Sequence, residues 1–296
     1  MRRKMVLAVF VLGIVAVGAM LAVRSGADPS FHWASINFPG AKLTEAEGIN
    51  PGGQIVGLYA DSSGHQHGFL LSGGKFSSFD YPGSIMTNAF GINPGGAIVG
   101  DWDDGKGNGP ASIHGFLLKA GMFSEVQFPG YLGTIAKGIS PDGDIWGCNH
   151  NTDFMASMHG FARTREGYAA IDVPASMNNG ATPDGKMVVG LYTDLGTGLT
   201  HGYVIDNGDF EPFDAPNSTL TQAWDVNPLR EIVGNYRDIE GKVHGFVRTD
   251  SEFTTLDYPA AVATQARGIN PQGSIVGYYR DDAGKTHGFA LMRTEQ

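Results

Sequence analysis

Cysteine is all but missing from this chain of 296 residues: Cys148 stands alone. No intrachain disulfide can form, so the fold has to rest on packing. Charge is sparse as well, at 17% of residues, and it leans one way, with 20 Lys and Arg against 30 Asp and Glu. A net charge of -10 argues against nucleic acid and against anionic lipid as partners. Catalytic signatures are also missing. There is no GxSxG nucleophile elbow, no HExxH zinc pair and no glycine-rich phosphate loop leading into a helix. No cofactor and no metal is expected. A pair of glycosidase-type carboxylates would escape this reading, because folding rather than sequence spacing brings such a pair together.

Long apolar runs are confined to one place. Met5 to Val23 is uninterrupted by charge, with Arg2, Arg3 and Lys4 before it and Arg24 after it. Such a segment directs export. Ser25 and Ala27 are small residues spaced for cleavage after Ala27, which makes residues 1–27 a signal peptide. The run is also long enough, at about 18 residues or more, to stay as a membrane anchor. Either way residues 28–296 are expected outside the cytoplasm, since the basic end stays inside, and the membrane is touched only by an uncleaved leader.

What the chain has in abundance is glycine, 44 residues, arranged in a repeat. The tripeptide Gly48-Ile49-Asn50 recurs at Gly91, as GIS at Gly138, GAT at Gly180, DVN at Asp225 and GIN at Gly268. The period of about 45 residues marks a repeat architecture. Within one copy, Asn50-Pro51-Gly52-Gly53 is a turn, Gln54 to Tyr59 a strand, Asp61 to Gly64 a turn and Gln66 to Leu71 a strand. Ser72-Gly73-Gly74 turns the chain again into Phe76 to Tyr81, which stops at Pro82-Gly83, and Thr87 to Asn93 opens the next copy. Four short antiparallel strands per copy predict an all-β fold, a six-bladed β-propeller of four-stranded blades. The last copy lacks a fourth strand, and residues 31–40 supply it: Pro39 aligns with Pro82, Phe38 with Tyr81 and Ile36 with Phe79. The N-terminal strand is therefore expected to join the C-terminal blade and close the ring, hiding both edges.

Every copy also carries His-Gly-Phe or His-Gly-Tyr, at His67, His114, His159, His201, His244 and His287. With the upstream G-I-N-x-x-G-x-I-V-G pattern, this resembles the bacterial extracellular HAF repeats, with Gly in place of the Ala. The resemblance covers nearly all of residues 31–296 and implies a secreted or surface-exposed propeller-like protein. It implies no reaction.

The repeated histidines read as packing devices. Counting across the second turn sets Tyr59 opposite His67, Trp102 opposite His114, Tyr192 opposite His201, Tyr236 opposite His244 and Tyr279 opposite His287. Six histidines on six different blades cannot converge on one ion. Asp61, Asp104, Asp194, Asp238 and Asp281, with Asn151 in the remaining copy, fit as turn residues that bond their own backbone. Asp101, Asp103, Asp104 and Asn108 faintly resemble a calcium loop but lack its closing Glu. Cys148 and His150 share a strand face, and a buried inert thiol is expected.

Positions that vary while their surroundings repeat are better site candidates. Just before each start stand Glu47, Phe90, Lys137, Asn179, Trp224 and Arg267, and two places earlier Glu45, Asn88, Ile135, Met177, Gln222 and Gln265. They are expected near the start of the innermost strands, around the channel mouth. Glu45, Glu47, Phe90, Lys137, Trp224 and Arg267 would bind a glycan or a peptide there through ring stacking and hydrogen bonds. The function expected is an exported, non-enzymatic binding or scaffolding module; the alternative is a hydrolase or lyase acting on an extracellular polysaccharide.

Overall fold

A computed structural model describes residues 31–107, 109–152 and 157–293. The export segment expected at 1–27 lies outside the described residues. Among the described residues no helix is long and apolar enough to cross a membrane.

The chain folds into antiparallel strands in sequence order. An opening strand, β1 (Phe31–Ile36), precedes β2 (Leu43–Ile49), β3 (Ile55–Ala60), β4 (Gln66–Ser72) and β5 (Lys75–Phe79), which form one sheet. The second sheet is β6 (Met86–Ile92), β7 (Ile98–Asp103), β8 (Ile113–Lys119) and β9 (Met122–Val126). A third holds β10 (Gly133–Ile139), β11 (Ile145–His150), β12 (His159–Thr164) and β13 (Gly167–Pro174); a fourth holds β14 (Ser176–Ala181), β15 (Met187–Thr193), β16 (Thr200–Asp206) and β17 (Asp209–Phe213). Then follow β18 (Ser218–Val226), β19 (Ile232–Asp238), β20 (Val243–Thr249) and β21 (Glu252–Leu256), and β22 (Ala263–Ile269), β23 (Ile275–Arg280) and β24 (Thr286–Arg293).

The architecture is an all-β β-propeller. The sequence repeat predicts six separate four-stranded blades, and here the pairing differs. There are four separate four-stranded sheets and one eight-stranded sheet made of β18 to β24 with β1. The cause is one parallel pair, Val243 with Ala263, which bridges β20 to β22 and merges two four-stranded meanders. β1 pairs antiparallel with β24, from Phe31 opposite Arg293 to Ile36 opposite Gly288.

The repeat's residues explain this local structure. Asn50 closes its turn by accepting the Gly52 and Gln54 N–H groups on Oδ1, and Gly53 takes the φ of +72° that the turn needs. The same Asn50 donates from Nδ2 to the Asn93 carbonyl of the next sheet at 3.1 Å. Asn93 does likewise to Ser140, and Asn227 to Asn270. The ring of each His-Gly-Phe or His-Gly-Tyr is fully buried: Phe69, Phe116, Phe161, Tyr203, Phe246 and Phe289 form the centres of the cores. Each aromatic buried in this way contributes roughly 1.5–3 kcal/mol.

Neighbouring inner strands approach until only glycine fits. A Cβ on Gly48 would come within 2.5 Å of the Phe90 carbonyl oxygen, and one on Gly91 within 2.9 Å of that of Lys137. The series continues through Gly138 against Asn179 and reaches Gly268 against the Glu47 carbonyl, at 2.9 Å. Asp225 replaces the glycine in one copy. Its buried carboxylate instead accepts the Ile269 N–H of the neighbouring strand at 3.0 Å.

Candidate functional site

Each inner strand carries an irregularity at the same point. The register shifts between Ala46 and Gly48, Ala89 and Gly91, Ala136 and Gly138, Asn178 and Gly180, Ala223 and Asp225, and Ala266 and Gly268. The residues left unpaired are Glu47, Phe90, Lys137, Asn179, Trp224 and Arg267. A bulge adds a residue and re-aims its side chain. Here all six line one central cavity. Their height differs from the sequence expectation, since Glu47 is the fifth of seven residues in β2 and Phe90 the fifth of seven in β6. The ring therefore sits in the second half of each inner strand, because that is where the bulge falls.

The six side chains interlock. Arg267 Nε lies 3.7 Å from a Glu47 carboxylate oxygen, and its Nη2 donates to the Tyr278 hydroxyl at 2.7 Å. The guanidinium also lies 3.8 Å from the Trp224 ring centre. Trp224 Nε1 donates to Asn235 at 2.6 Å, and Asn179 donates to the Ala223 carbonyl at 2.8 Å. On the other side, the Lys137 ammonium sits 3.4 Å above the Phe90 ring. No carboxylate of a described residue lies within 4 Å of that ammonium. Burial lowers its pKa against the attraction of Asp101 and Glu47. The cavity measures about 80 Å³, small beside the roughly 300–1,000 Å³ of typical small-molecule sites.

Glu45 is not among the side chains that line the cavity, although it stands close enough to feel them. Burial and then the charge of Glu47 raise its carboxyl to about 7, against Arg267 and Lys137. Sequence reasoning set Asp101 in a calcium-like loop rather than in the interior, where it accepts from Asn88 at 2.9 Å and is held at about 6, chiefly by burial. That reasoning missed Tyr278 and Asp225, the latter raised to about 7 by burial. The available signal for Asp101 and Tyr278 was the residue after each I-V-G or equivalent, which varies as Leu58, Asp101, Cys148, Leu191, Asn235 and Tyr278.

These shifts predict a pH dependence of stability. A carboxyl raised in the folded state leaves stability intact below its unfolded value near pH 4 and erodes it as pH rises through about 7. Asp61, Asp104, Asp194, Asp238 and Asp281 at the outer turns are lowered by hydrogen bonds, so their contribution is lost as pH falls through their low folded values. Stability should peak at mildly acid pH. Glu45→Gln is expected to raise stability by ~2–3 kcal/mol at pH 8 and to change little at pH 4.5. Urea titrations at both pH values measure it; an equal effect at both would reject the assignment.

The histidines lie where the sequence set them. Tyr59 pairs with His67 with ring centres 5.1 Å apart, and the Trp102, Tyr192, Tyr236 and Tyr279 pairs repeat this stacking. Carboxylates hold most of these imidazoles from the sides: His244 has Asp238 at 3.1 Å and Asp257 at 2.9 Å. The acids of the calcium-like loop separate. Asp101 turns into the interior, while Asp103 and Asp104 accept the N–H groups of Gly105 and Lys106; Asn108 lies outside the described residues. Cys148 is buried, 3.1 Å from His150 Nε2, and burial pushes its thiol up to about 12.

No protein-family model and no curated protein sequence matches the chain. Solved structures do. A fungal lectin from Aleuria aurantia, described as a six-bladed β-propeller with a fucose recognition mode, matches with TM-score 0.53 at 11% identity over 87% of this chain and 93% of that one. TolB from Acinetobacter baumannii matches with TM-score 0.58 at 12% identity, over 82% of this chain and 64% of that one. The β-propeller domain of the trilobed protease from Pyrococcus furiosus, of open velcro topology, matches with TM-score 0.51 at 9% identity over 86% and 97%. Likeness at this identity establishes the fold.

Proposed function

We propose that this chain is an extracytoplasmic, non-enzymatic binding module built on HAF-like repeats, with an export segment at residues 1–27. In this reading the eight-stranded sheet acts as two blades, since one residue pair joins its halves. The ring then has six blades, with β1 on β24 as its closure. The approach of Gly268 to Glu47 and the six-bladed form of the Aleuria lectin support that reading.

One observation carries the binding function. At the single bulged position that the blade leaves unspecified, the chain gathers Glu47, Lys137 and Arg267 with Phe90 and Trp224 around one cavity. A plug needed only to fill space would be apolar, because buried charges cost several kcal/mol each to desolvate. Lys137 has its ammonium on the cavity, and among the described residues no carboxylate contacts it. A ligand would present a small polar end there, a terminal group of a glycan or peptide rather than a ring, with Glu45 behind it. The cavity volume disfavours the polysaccharide-cleaving alternative, which needs sugar on both sides of a scissile bond.

The test is a glycan and peptide array probed with the intact protein and with Lys137→Met. The expected result is a ligand bound by the wild type and weakened tenfold or more in the variant, as for a lost charged hydrogen bond. No ligand, or one held equally by the variant, would reject the channel as the site.

A further inference from the structure

A second concave feature lies away from the central cavity, between the sheet β6–β9 and the sheet β10–β13. It is a cleft of about 250 Å³, just below the usual range of roughly 300–1,000 Å³ for small-molecule sites. Its size suits one residue of a chain. Leu117 and Ile139, both half-buried, contribute apolar surface to it.

The polar lining is unusual for this protein. Lys119, Arg163 and Arg165 line the cleft together with Asp142 and Asp144, an excess of cations in a chain of net charge -10. None of these five heads makes an ion pair or side-chain hydrogen bond with a described residue; Arg163 has a Tyr168 ring at 5.9 Å. Arg248 occupies the same repeat position as Arg163 and shows the structural use of an arginine there. It pairs with Glu211 of the preceding sheet at 3.1 Å and covers Phe213 at 4.3 Å. Among the described residues no carboxylate pairs with Arg163 in that way. The Asn-Pro-Gly-Gly turn of the earlier copies is likewise replaced by Ser140-Pro141-Asp142-Gly143-Asp144, in which the Ser140 hydroxyl accepts the Gly143 and Asp144 N–H groups. That leaves both aspartates free to face the cleft.

We infer that this cleft binds a hexuronate residue of an acidic polysaccharide. The chemistry of such a sugar matches the lining group by group. The C–H face of a pyranose ring packs on Leu117 and Ile139. Its carboxylate takes charge-assisted hydrogen bonds from the arginines and Lys119, and its hydroxyls donate to Asp142 and Asp144. A neutral sugar would leave the three cations unpaired, and a bare phosphate would leave the apolar surface and the aspartates unused.

Titration calorimetry with galacturonate and glucuronate trisaccharides tests this, with their methyl esters and inorganic phosphate as comparison probes. At least one uronate is expected to bind the intact protein. Arg163→Met combined with Arg165→Met should weaken it roughly tenfold or more, with thermal melting unchanged. Lys137→Met, in the central cavity, should leave it unaffected, which separates this site from the one proposed above. Absence of uronate binding, equal binding of the methyl esters, or phosphate binding of equal strength would overturn the assignment. Loss through Lys137→Met alone would move the ligand to the central cavity and overturn it too.

Discussion

Deletion of residues 31–40 is expected to abolish cooperative folding or to lower the melting temperature by more than about 12 °C. The magnitude follows from what this short segment buries. Ile36 is 6% exposed, and Trp33 packs edge-on against Tyr258 and Phe289 with ring centres 5.3 and 5.0 Å away. Phe38 stacks flat on Tyr59 at 3.6 Å, so the segment bridges β24 to the first full sheet. Three such side chains at roughly 1.5–3 kcal/mol each approach the 5–15 kcal/mol that holds a typical domain. For a domain of this size about 1 kcal/mol moves melting by 2–4 °C. The deletion also bares the edge of β24, which invites association between chains. Calorimetry and sedimentation read both effects. A synthetic peptide of residues 31–40 should restore part of the lost stability, and unchanged melting after the deletion would refute β1 as the closing strand.

Most of the strands were legible because their boundaries are local chemistry. Pro51, Gly53 and Asn50 fix a turn wherever they stand, and the aromatic opposite each histidine follows from counting across a turn. The site was legible only in outline. Variation at Glu47, Phe90, Lys137, Trp224 and Arg267 singled out positions that line the central cavity, but a bulge has no turn-like signature. Its trace is the small pair that flanks four of the six variable residues, such as Ala46 and Gly48 around Glu47. Contacts between copies were hidden for a different reason. Asn50 uses one end of its amide in its own turn and the other on Asn93, a residue one full repeat away. Paired departures are visible only together: Tyr203 replaces Phe where Asn178 replaces Ala, and the hydroxyl donates to that amide in the interior. The merging of two meanders into one sheet turns on the single Val243–Ala263 pair, which the repeat cannot encode.

Gly100→Ala should cost about 3 kcal/mol or more, although this glycine lies inside a regular strand and its φ is not in the left-handed region. A Cβ there would fall 1.9 Å from the Asn88 carbonyl oxygen and 2.8 Å from Phe116. Gly57, Gly147, Gly190, Gly234 and Gly277 meet the corresponding carbonyls of Glu45, Ile135, Met177, Gln222 and Gln265 at 1.9–2.0 Å. The repeated glycine of each I-V-G is thus the counterpart of the neighbouring bulge. The inner strand bends, its carbonyl presses onto the second strand, and only a residue without a side chain lies beneath it. Relief would require β6 to move away from β7, carrying Phe90 and its contact with Lys137. Gly96→Ala provides the comparison. That glycine has φ of +77° and nothing within 4 Å of a new Cβ, so only the backbone penalty of about 1–2 kcal/mol applies. Urea midpoints for the two variants should therefore differ, with the larger loss at the position of ordinary φ. Equal losses would mean that the bulged strand yields freely, and that the ring of side chains it aims at the cavity is not held in place by this contact.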